Sequence, residues 1–445
     1  MMVRQKILLS VLLLGTVVSS SSAQSAPYRL TLSDAIHRGL LANLGVLVSE
    51  TRTQEAAAIS KRRQSLLLPR AHIEAPVVVQ SIDLASMGIS IPGLPLPQVV
   101  GPFSTYGARA FADQDIVNIQ SLHTLRSARE SLLAAKSDYQ DSRDLVIRNV
   151  AALYLSSQAQ FADVVAAESR VETAEALSKL ATDQRDAGVA TGIDVLRAQV
   201  QLANERQSLV QARNRAKSSL LVLARNIGMS PGTQIELADQ LEFRPSDSVN
   251  VESVLPHALA SRPDYQSFVR QHAALKQQLQ ASRARYLPRL TASGNYGGIG
   301  RTIDSMRATG LAQLSLSVTV FDRDRNGEGA EIQAQLRRVE RQMNDARLGV
   351  EQELRQALLD LDSAAEEVSV AGAGLDLAQK EVELAQLRFS QGVTNNVEVV
   401  SAQDALSRAQ QNKIVALTHH ADARISMARA LGNTEASYEE SLGSR

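Results

Sequence analysis

The stretch RFSQGVTNNVEVVSAQDAL, from Arg388 to Leu406, repeats a pattern that the chain has already used once. RDAGVATGIDVLRAQVQL, from Arg185 to Leu202, has the same Gly-Val pair followed by the same Val-x-x-Ala-Gln. The two glycines, Gly188 and Gly392, are separated by 204 positions (392 minus 188). Glycine permits the sharp reversal that a turn between two helices needs. The sequence therefore predicts the same helical turn twice.

The agreement continues to the helix ends. ARNIG at 224–228 corresponds to ARALG at 428–432, and glycine commonly follows the last residue of a helix. LPR occurs at 68–70 and again at 287–289, each time between a helical and an alternating pattern. These matches predict two structural repeats. We place a signal peptide at 1–26, the first repeat at 27–230 and a connection at 231–251. The second repeat follows at 252–432, and a C-terminal tail at 433–445.

Long helices are predicted within each repeat. Apolar residues spaced by seven, from Leu125 to Leu153 and from Leu354 to Phe389, are typical of a coiled-coil seam, although a simple antiparallel coiled coil would show them too. The helical patterns at 120–187 and 326–391 are unbroken, and each predicts a helix about 100 Å long. Each long helix can pair with two half-length helices stacked end to end. The helix at 120–187 would pair with those at 31–68 and 192–228, and the helix at 326–391 with those at 252–286 and 396–432.

The first 26 residues have the pattern of a secretory signal. MMVRQK is basic, ILLSVLLLGTVV is an apolar run of about a dozen residues, and SSSSAQSA supplies small residues for cleavage after Ala23 or Ala26. A membrane-spanning helix needs roughly twenty apolar residues, and no later segment is long and apolar enough. We expect the mature chain to be soluble outside the cytoplasm or to cross a membrane as β-strands.

The composition excludes several classes of function. Lys plus Arg and Asp plus Glu number 47 each, so the chain has no net charge that would attract nucleic acid or an anionic lipid surface. The absence of cysteine excludes disulfides, thiolate zinc sites and a cysteine nucleophile. Aromatic residues make up only 3% of the chain, which is typical of thin helical seams rather than of a thick globular core.

Two strands are predicted in each repeat. AHIEAPVVVQ and STYGARAFADQD lie within 71–115, and LTASGNYGGIG and LAQLSLSVTVF lie within 290–321. In the last of these, apolar residues from Leu314 to Val320 alternate with small polar ones, as in a barrel strand with a lipid-facing side, although a half-buried soluble strand alternates too. Four strands cannot close a membrane barrel, whose smallest examples have about eight. Three chains would supply twelve strands, and two chains would supply eight.

The chain resembles the TolC-type outer-membrane efflux proteins over nearly all of its mature length. The resemblance rests on LTLSDAI at 30–36, the paired LPR junctions, VTVFDRDRN at 318–326, the two Gly-Val turns and the two ARxxG helix ends. It implies a mainly α-helical fold with a small membrane β-barrel. In that fold a homotrimer of long coiled-coil helices forms an α-barrel in the periplasm, and four strands per chain contribute to a shared twelve-stranded barrel in the outer membrane. The connection 231–251 would lie in an equatorial region.

The resemblance also implies partners. The channel would join a periplasmic adaptor, or membrane fusion protein, to which an inner-membrane transporter of the RND, ABC or MFS type is coupled. Outer-membrane lipid would surround the barrel, and no nucleic acid is implied. The residues that would form the adaptor-contacting tips are Gly188, Val189, Gly392 and Val393.

Family members often carry acidic residues that face the pore just inside these tips. The matching position is Glu398, and Asp194 is its counterpart in the first repeat. Copies around an axis would form an acidic ring at the periplasmic entrance that attracts cations. The chain has Thr394 where an Arg can sit and Ser401 where a second acid can sit, so Asp404 is the candidate for that second acid. An exposed acid on a helix face is the alternative for Asp404.

No catalytic residue, cofactor site or metal site is predicted. DRDRNG at 322–327 begins like a calcium loop, but its twelfth position is Gln333, so the bidentate Glu is missing and a polar turn is expected. His419 and His420 are adjacent in a predicted helix and point in different directions, which favours two solvated side chains over a metal site. GGIG at 297–300 lacks the spacing of a phosphate loop, and no nucleophile elbow with a triad is found.

We therefore expect an outer-membrane channel of a tripartite efflux pump or a type I secretion system, acting as a passive export duct for drugs, small molecules or proteins. The alternative from another class is a soluble periplasmic coiled-coil adaptor or an adhesin-like structural protein. An adaptor would normally have one helical hairpin between β-rich domains. This chain has two predicted hairpins, each with its own pair of strands.

Overall fold

The computed structural model describes residues 28–84, 86, 88, 97–239, 242–245, 250–391, 393–394 and 396–435. The expected signal peptide and most of the C-terminal tail lie outside these residues. The helices are α1 (Leu32–Ala42), α2 (Leu44–Gln64), α3 (Ile119–Asp186), α4 (Gly192–Asn226), α5 (Val251–Ser261), α6 (Pro263–Arg283), α7 (Asp324–Ser390) and α8 (Asn396–Ala430). The strands are β1 (Tyr28–Leu30), β2 (Arg70–Glu74), β3 (Val77–Asp83), β4 (Val99–Val117), β5 (Ile235–Leu237), β6 (Arg289–Gly300) and β7 (Arg307–Ser317).

The two long helices agree with the sequence prediction. α3 has 68 residues and α7 has 67, so each is about 100 Å long. The heptad positions Leu125 and Val146 in α3 are buried, as are Leu354, Val368 and Phe389 in α7. The predicted seams are therefore the surfaces on which neighbouring helices pack.

Half-length helices stack end to end beside each long helix, as predicted. A Cβ on Gly228, just after α4, would lie 2.3 Å from the Cβ of Ala42, at the end of α1. In the second repeat the Ser261 hydroxyl, at the end of α5, donates to the carbonyl of Leu431, just after α8, over 3.1 Å. The ends of α1 and α4, and of α5 and α8, therefore meet at the middle of the molecule.

The half-length helices nearer the sheet are each broken once, where the sequence predicted continuous helices at 31–68 and 252–286. Asn43 ends α1, and its side chain accepts a hydrogen bond from the backbone N–H of Gly45 (2.8 Å), which caps α2. Pro263 begins α6, and a proline disfavours helical geometry in the residue before it, so Arg262 is extended (ψ 119°). Both predictions of a single continuous helix were therefore wrong, in the first repeat because of the cap at Asn43 and in the second because of Pro263.

A single antiparallel sheet joins the two repeats. Its order is β2-β4-β6-β7, and β3 also pairs with β4. The predicted strand at 71–80 is split at Pro76 into β2 and β3, which occupy successive stretches of the same edge. The predicted strand at 311–321 ends at Ser317, so Val318 and Val320 lie beyond the sheet.

A small parallel sheet between the start of the described chain and the connection was not predicted. β1 pairs with β5 over three residues, from the pair Tyr28 and Ile235 to the pair Leu30 and Leu237. Leu30 and Ile235 are buried in the same core as Tyr154 of α3. Three-residue strands carry too little alternation to be seen in a sequence.

The helices pack side by side in a single layer with two lateral edges. Towards the sheet, α3 packs against α2 and α6, and α6 packs against α7. Towards the Gly-Val turns, α3 packs against α4 and α8, and α8 packs against α7. The lateral order is therefore α2-α3-α6-α7 in one half and α4-α3-α8-α7 in the other.

The prediction of two solvated histidines in α8 is half wrong. His419 is exposed, and its Nδ1 lies 3.2 Å from an Oε2 of Glu367. His420 is only 1% exposed, because the ring of Phe243 covers it with the ring centroids 4.7 Å apart. Burial, and then the charge of Arg424, lower the pKa of His420 from its ordinary value.

Candidate functional site

The end of α3 forms the turn that the sequence predicted at Gly188. Gly188 has a φ of 79°, and its N–H donates to the carbonyl of Arg185 (2.9 Å). The N–H of Val189 donates to the carbonyl of Gln184 (2.8 Å). This pair of bonds is the Schellman motif, which satisfies the last carbonyls of a helix and requires the left-handed conformation that glycine adopts without strain.

The end of α7 repeats this arrangement 204 positions later. The N–H of Val393 donates to the carbonyl of Arg388 over 2.9 Å, which matches the bond from Val189 to Gln184. Gly392 lies outside the described residues. Val189 is 68% exposed and Val393 is 65% exposed. Each hairpin therefore ends in an exposed valine held by the same backbone bond.

The two tips are tied to each other. The side-chain amide of Gln184 donates to the carbonyl of Phe389 over 3.3 Å. Leu177 of α3 packs in one cluster with Phe389 of α7 and Val399 of α8. The tips of the first and second repeats therefore form one surface rather than two separate ones.

Asp194 caps the start of α4. One oxygen of its carboxylate accepts hydrogen bonds from the backbone N–H (3.0 Å) and the hydroxyl (2.5 Å) of Thr191. These bonds, the one from the hydroxyl first, hold the pKa of Asp194 below its ordinary value. The carboxylate thus has a local role in the turn, beside any role in a ring of acids.

Glu398 lies in the first turn of α8 and has two partners. Its Oε1 lies 3.0 Å from Nη1 of Arg388, and its Oε2 accepts a hydrogen bond from the hydroxyl of Thr394. Arg388 was not among the residues predicted for this site. The signal was available, because Arg388 and Glu398 lie five positions before and after Val393 (393 minus 388 and 398 minus 393), and a hairpin brings such residues together.

Asp404 is exposed on α8, and no hydrogen bond or ion pair of its side chain is seen in the described part of the chain. Asp194 in α4 and both Glu398 and Asp404 in α8 lie near the same end of the molecule. Whether copies of them form a ring at an entrance stays a prediction.

One face of the sheet is apolar. Residues paired across neighbouring strands lie on the same face, so the register gives each face its members. The face that contains Leu314 is predominantly aliphatic or small, and many of its side chains are exposed, as with Ile73 at 80% and Leu314 at 67%. Its apolar and aromatic members are Ala71, Ile73, Val77, Val79, Tyr106, Ala108, Ala110, Ala112, Leu290, Ala292, Tyr296, Ala312, Leu314 and Leu316.

The opposite face of the sheet is predominantly polar and is linked by its own side chains. Arg70 pairs with Asp113 at 2.9 Å, and Arg109 donates to the hydroxyl of Thr309 over 2.6 Å. A strongly polar face backed by an exposed apolar face is what a sheet between lipid and water requires. An apolar patch of this extent is uncommon on a water-exposed surface.

None of the helices in the described ranges has both the length and the apolar character needed to span a bilayer. No group of three or more His, Cys, Asp or Glu side chains in those ranges is placed to hold a metal ion. The acids of the calcium-like segment instead pair with Arg285, which lies 2.6 Å from Asp322 and 3.1 Å from Asp324.

The profile of the family described as "Outer membrane efflux protein" matches residues 42–229 and 254–433. The chain belongs to the outer membrane efflux protein family. The matched segments contain both long helices and the large sheet in full. The efflux proteins are a family of outer-membrane channels and not of enzymes.

Proteins named for export or efflux are similar to the chain at low identity. The pyoverdine export outer membrane protein OpmQ of Pseudomonas aeruginosa is 27% identical over 316 residues, which cover 69% of this chain and 65% of OpmQ. The probable efflux pump outer membrane protein TtgC of Pseudomonas putida is 22% identical over 339 residues, covering 74% of this chain and 68% of TtgC. The chain therefore spans about two thirds of the length of these relatives.

The fold is that of outer-membrane efflux channels. The crystal structure of the Campylobacter jejuni CmeC outer membrane channel superimposes with a TM-score of 0.77 at 15% identity, covering 93% of this chain and 89% of CmeC. A match over this share of both chains includes the helical layer and the sheet together.

Proposed function

We propose that three copies of this chain form a passive export duct in the bacterial outer membrane, as the channel component of a tripartite efflux pump or a type I secretion system. One observation carries the proposal: a sheet with an exposed apolar face continues directly into two long helical hairpins that end in matched Gly-Val turns. The sheet suits lipid, and the hairpins suit a tunnel that extends from it into the periplasm.

Assembly is supported by the lateral edges of the helical layer. In the half of the layer towards the Gly-Val turns, the edge helices are α4 and α7. Both expose apolar side chains at coiled-coil spacing. A ridge on one edge of a copy can pack against the other edge of the next copy, and repeated packing of this kind closes a ring. The ridge residues are Ile193, Leu196, Val200, Val210 and Leu221 on α4 and Val370, Leu377, Leu384 and Leu387 on α7.

The sheet favours three copies over two. β2 and β3 share one edge position, so each chain supplies four strand positions, and β7 leaves the opposite edge open. Two chains would give eight strands, whose interior is about filled by side chains, whereas three give twelve and leave a passage. A duct for drugs or other small molecules needs that passage.

The tips are the proposed docking surface for a periplasmic adaptor, which would couple the duct to an inner-membrane transporter of the RND, ABC or MFS type. Val189 and Val393 present two similar exposed apolar side chains per chain, and Gly188 makes the turn that exposes Val189. Gly392, the counterpart of Gly188 in the sequence, is part of the same proposed surface. Glu398, Asp194 and Asp404 would form the acidic entrance just inside the tips. The relatives named for pyoverdine export and for efflux support small molecules as cargo.

The decisive experiment is the shape and mass of the protein purified in detergent. We expect a three-fold tube well over 100 Å long, since a helical section of about 100 Å adds to a barrel about 30 Å tall. Recovery of the chain as a monomer from the soluble periplasm without detergent would favour the adaptor or adhesin alternative.

Adaptor docking needs a separate test. The double variant Val189→Asp, Val393→Asp should abolish export by the assembled pump and prevent cross-linking to the adaptor. The same variant should still purify as a trimer of normal conductance. If pump-dependent export survives, the tips are not the docking surface.

A further inference from the structure

A buried polar pocket lies where the connection between the repeats crosses α8. His420 is 1% exposed, and its Nε2 has no hydrogen-bond partner within the described ranges. A buried ring nitrogen without a partner destabilises the folded state, because it has lost its hydrogen bonds to water and gained none in return. Such a nitrogen indicates that a group from outside the protein completes the site.

Arg424 lies one helical turn after His420, on the same face of α8. It is half-buried, and no hydrogen bond or ion pair of its guanidinium is found among the residues that can be described. Burial, and then repulsion from Arg244, lower the pKa of Arg424. Arginine is rarely taken out of water without a counter-charge, so Arg424 lacks the anion that its surroundings call for.

The two carboxylates among the described residues that line the cavity, Asp239 and Glu242, already have partners other than Arg424. Asp239 accepts hydrogen bonds from the backbone N–H of Leu32 (2.7 Å) and from the hydroxyl of Tyr154 (2.8 Å). Glu242 lies 3.8 Å from Arg244. Neither carboxylate is among the groups that affect the pKa of Arg424.

His420, Arg424 and Arg244 share a cavity of about 50 Å³. It has room for one small ion and its nearest water molecules, since a single water needs about 10–15 Å³ of such space. The other lining residues come from the start of α1, from α3, from the connection and from α8. They are Leu32, Tyr154, Leu155, Gln158, Asp239, Glu242 and Ala421.

We propose that this cavity binds a small monovalent anion of the chloride type, held by the guanidinium groups of Arg424 and Arg244 and by Nε2–H of His420. The ion supplies the missing counter-charge for Arg424 and the missing partner for His420. Through Arg244, the ion also links the connection between the repeats to α8. It therefore stabilises the contact of the first repeat with the second near the middle of the molecule. This role is separate from export and holds whatever the cargo is.

Bromide gives a direct test on the intact protein. Crystals of the detergent-purified channel grown in sodium bromide should show an anomalous peak between Arg424 and His420 in each subunit. The peak should be lost in Arg424→Gln and kept in Arg408→Gln, which replaces an exposed arginine of the same helix. A cavity that holds only water, or a carboxylate of a neighbouring subunit at Arg424, would overturn the assignment.

Stability gives an independent test. At constant ionic strength, replacing sodium gluconate by 0.15 M sodium chloride should raise the melting temperature of the wild type and of Arg408→Gln by about 1–2 °C. Arg424→Gln should not respond, and His420→Gln serves as the second variant if Arg424→Gln does not fold. Chloride should also slow amide hydrogen exchange of residues 242–244 in the wild type. Equal responses to chloride in the wild type and the folded site variant would refute the proposal.

Discussion

The guanidinium of Arg388 lies 3.0 Å from the carboxylate of Glu398, across the turn at the second tip. Both side chains are partly exposed, so the pair contributes only about 0–1 kcal/mol to the stability of the tip. Its larger effect is on charge, because the arginine offsets the carboxylate that a cation-attracting entrance would use. The two residues therefore have opposite expected effects on ion flow.

Replacing each partner in turn should separate these effects. Arg388→Ala should increase the cation selectivity of the channel in planar bilayers, because it leaves the negative charge of Glu398 uncompensated. Glu398→Ala should decrease it. The measurement is the reversal potential under a salt gradient, with Asp404→Ala as the comparison on the same helix. Reversal potentials unchanged in both variants would remove Glu398 from the pore.

The cap at the first tip predicts a local effect. Asp194→Ala removes the acceptor of both hydrogen bonds from Thr191, which should cost about 0.3–1.5 kcal/mol at the start of α4. Amide exchange at residues 189–195 should become about two- to tenfold faster, while exchange in the middle of α3 stays unchanged. Thr173→Ala is the control, because that hydroxyl bonds only to the carbonyl of Ser169 within its own helix.

The same cap has a defined pH dependence. The folded pKa of Asp194 is below the ordinary value of 3.8, so its contribution is present above 3.8 and is lost as the pH falls through the lowered folded value. The exchange difference between the wild type and Asp194→Ala should therefore be constant near neutral pH. A difference that does not shrink however far the pH falls below 3.8 would contradict the role of the ionised carboxylate.

The periodicity of apolar residues and the residues that end helices explain which parts of this fold could be predicted. The heptads and the glycines gave the long helices, their stacking and both tips, since those features depend on local spacing. The breaks at Asn43 and Arg262 were missed because the apolar pattern continues across them, so the start of a second helix cannot be distinguished from a continuation of the first. The burial of His420 was missed because Phe243, which covers it, lies 177 positions away (420 minus 243). Contacts of that range leave no periodic signal.

Gly228 should be more sensitive to substitution than other helix-region glycines. It has a φ of 68°, and an added Cβ would meet the Cβ of Ala42 at 2.3 Å. Gly228→Ala should therefore destabilise the protein by about 2–4 kcal/mol, from the left-handed backbone and from overpacking together. In Gly349→Ala, where a Cβ would meet nothing within 4 Å, the free energy of unfolding should rise by up to about 1 kcal/mol. Thermal unfolding of both variants checks this contrast.

Asp144 should make the protein less stable as the pH rises. Burial raises its pKa to about 6 from the ordinary 3.8, and its side chain is buried in α3. An acid whose pKa is raised by folding stabilises the folded state when the pH is below its pKa in the unfolded chain. This contribution to stability is lost as the pH rises from about 4 to about 6. Asp144→Asn should therefore be more stable than the wild type at pH 7.5, by on the order of 2 kcal/mol, with the gap closing towards pH 4. Asp138→Asn, at an exposed position of the same helix, should show no such pH-dependent gap.

Neighbouring residues on β7 test which face of the sheet meets lipid. Leu314 lies on the apolar face and Ser315 on the polar face, at adjacent positions of the same strand. Leu314→Arg should prevent stable insertion, because an arginine facing lipid near the middle of the bilayer costs about 2–4 kcal/mol in each copy. Ser315→Arg should be tolerated, since its side chain faces the water-filled side. The measurement is recovery of each variant in the outer-membrane fraction after a urea wash. Equal recovery would mean that the apolar face is covered by protein rather than by lipid, which would also remove the main support for a membrane-spanning sheet.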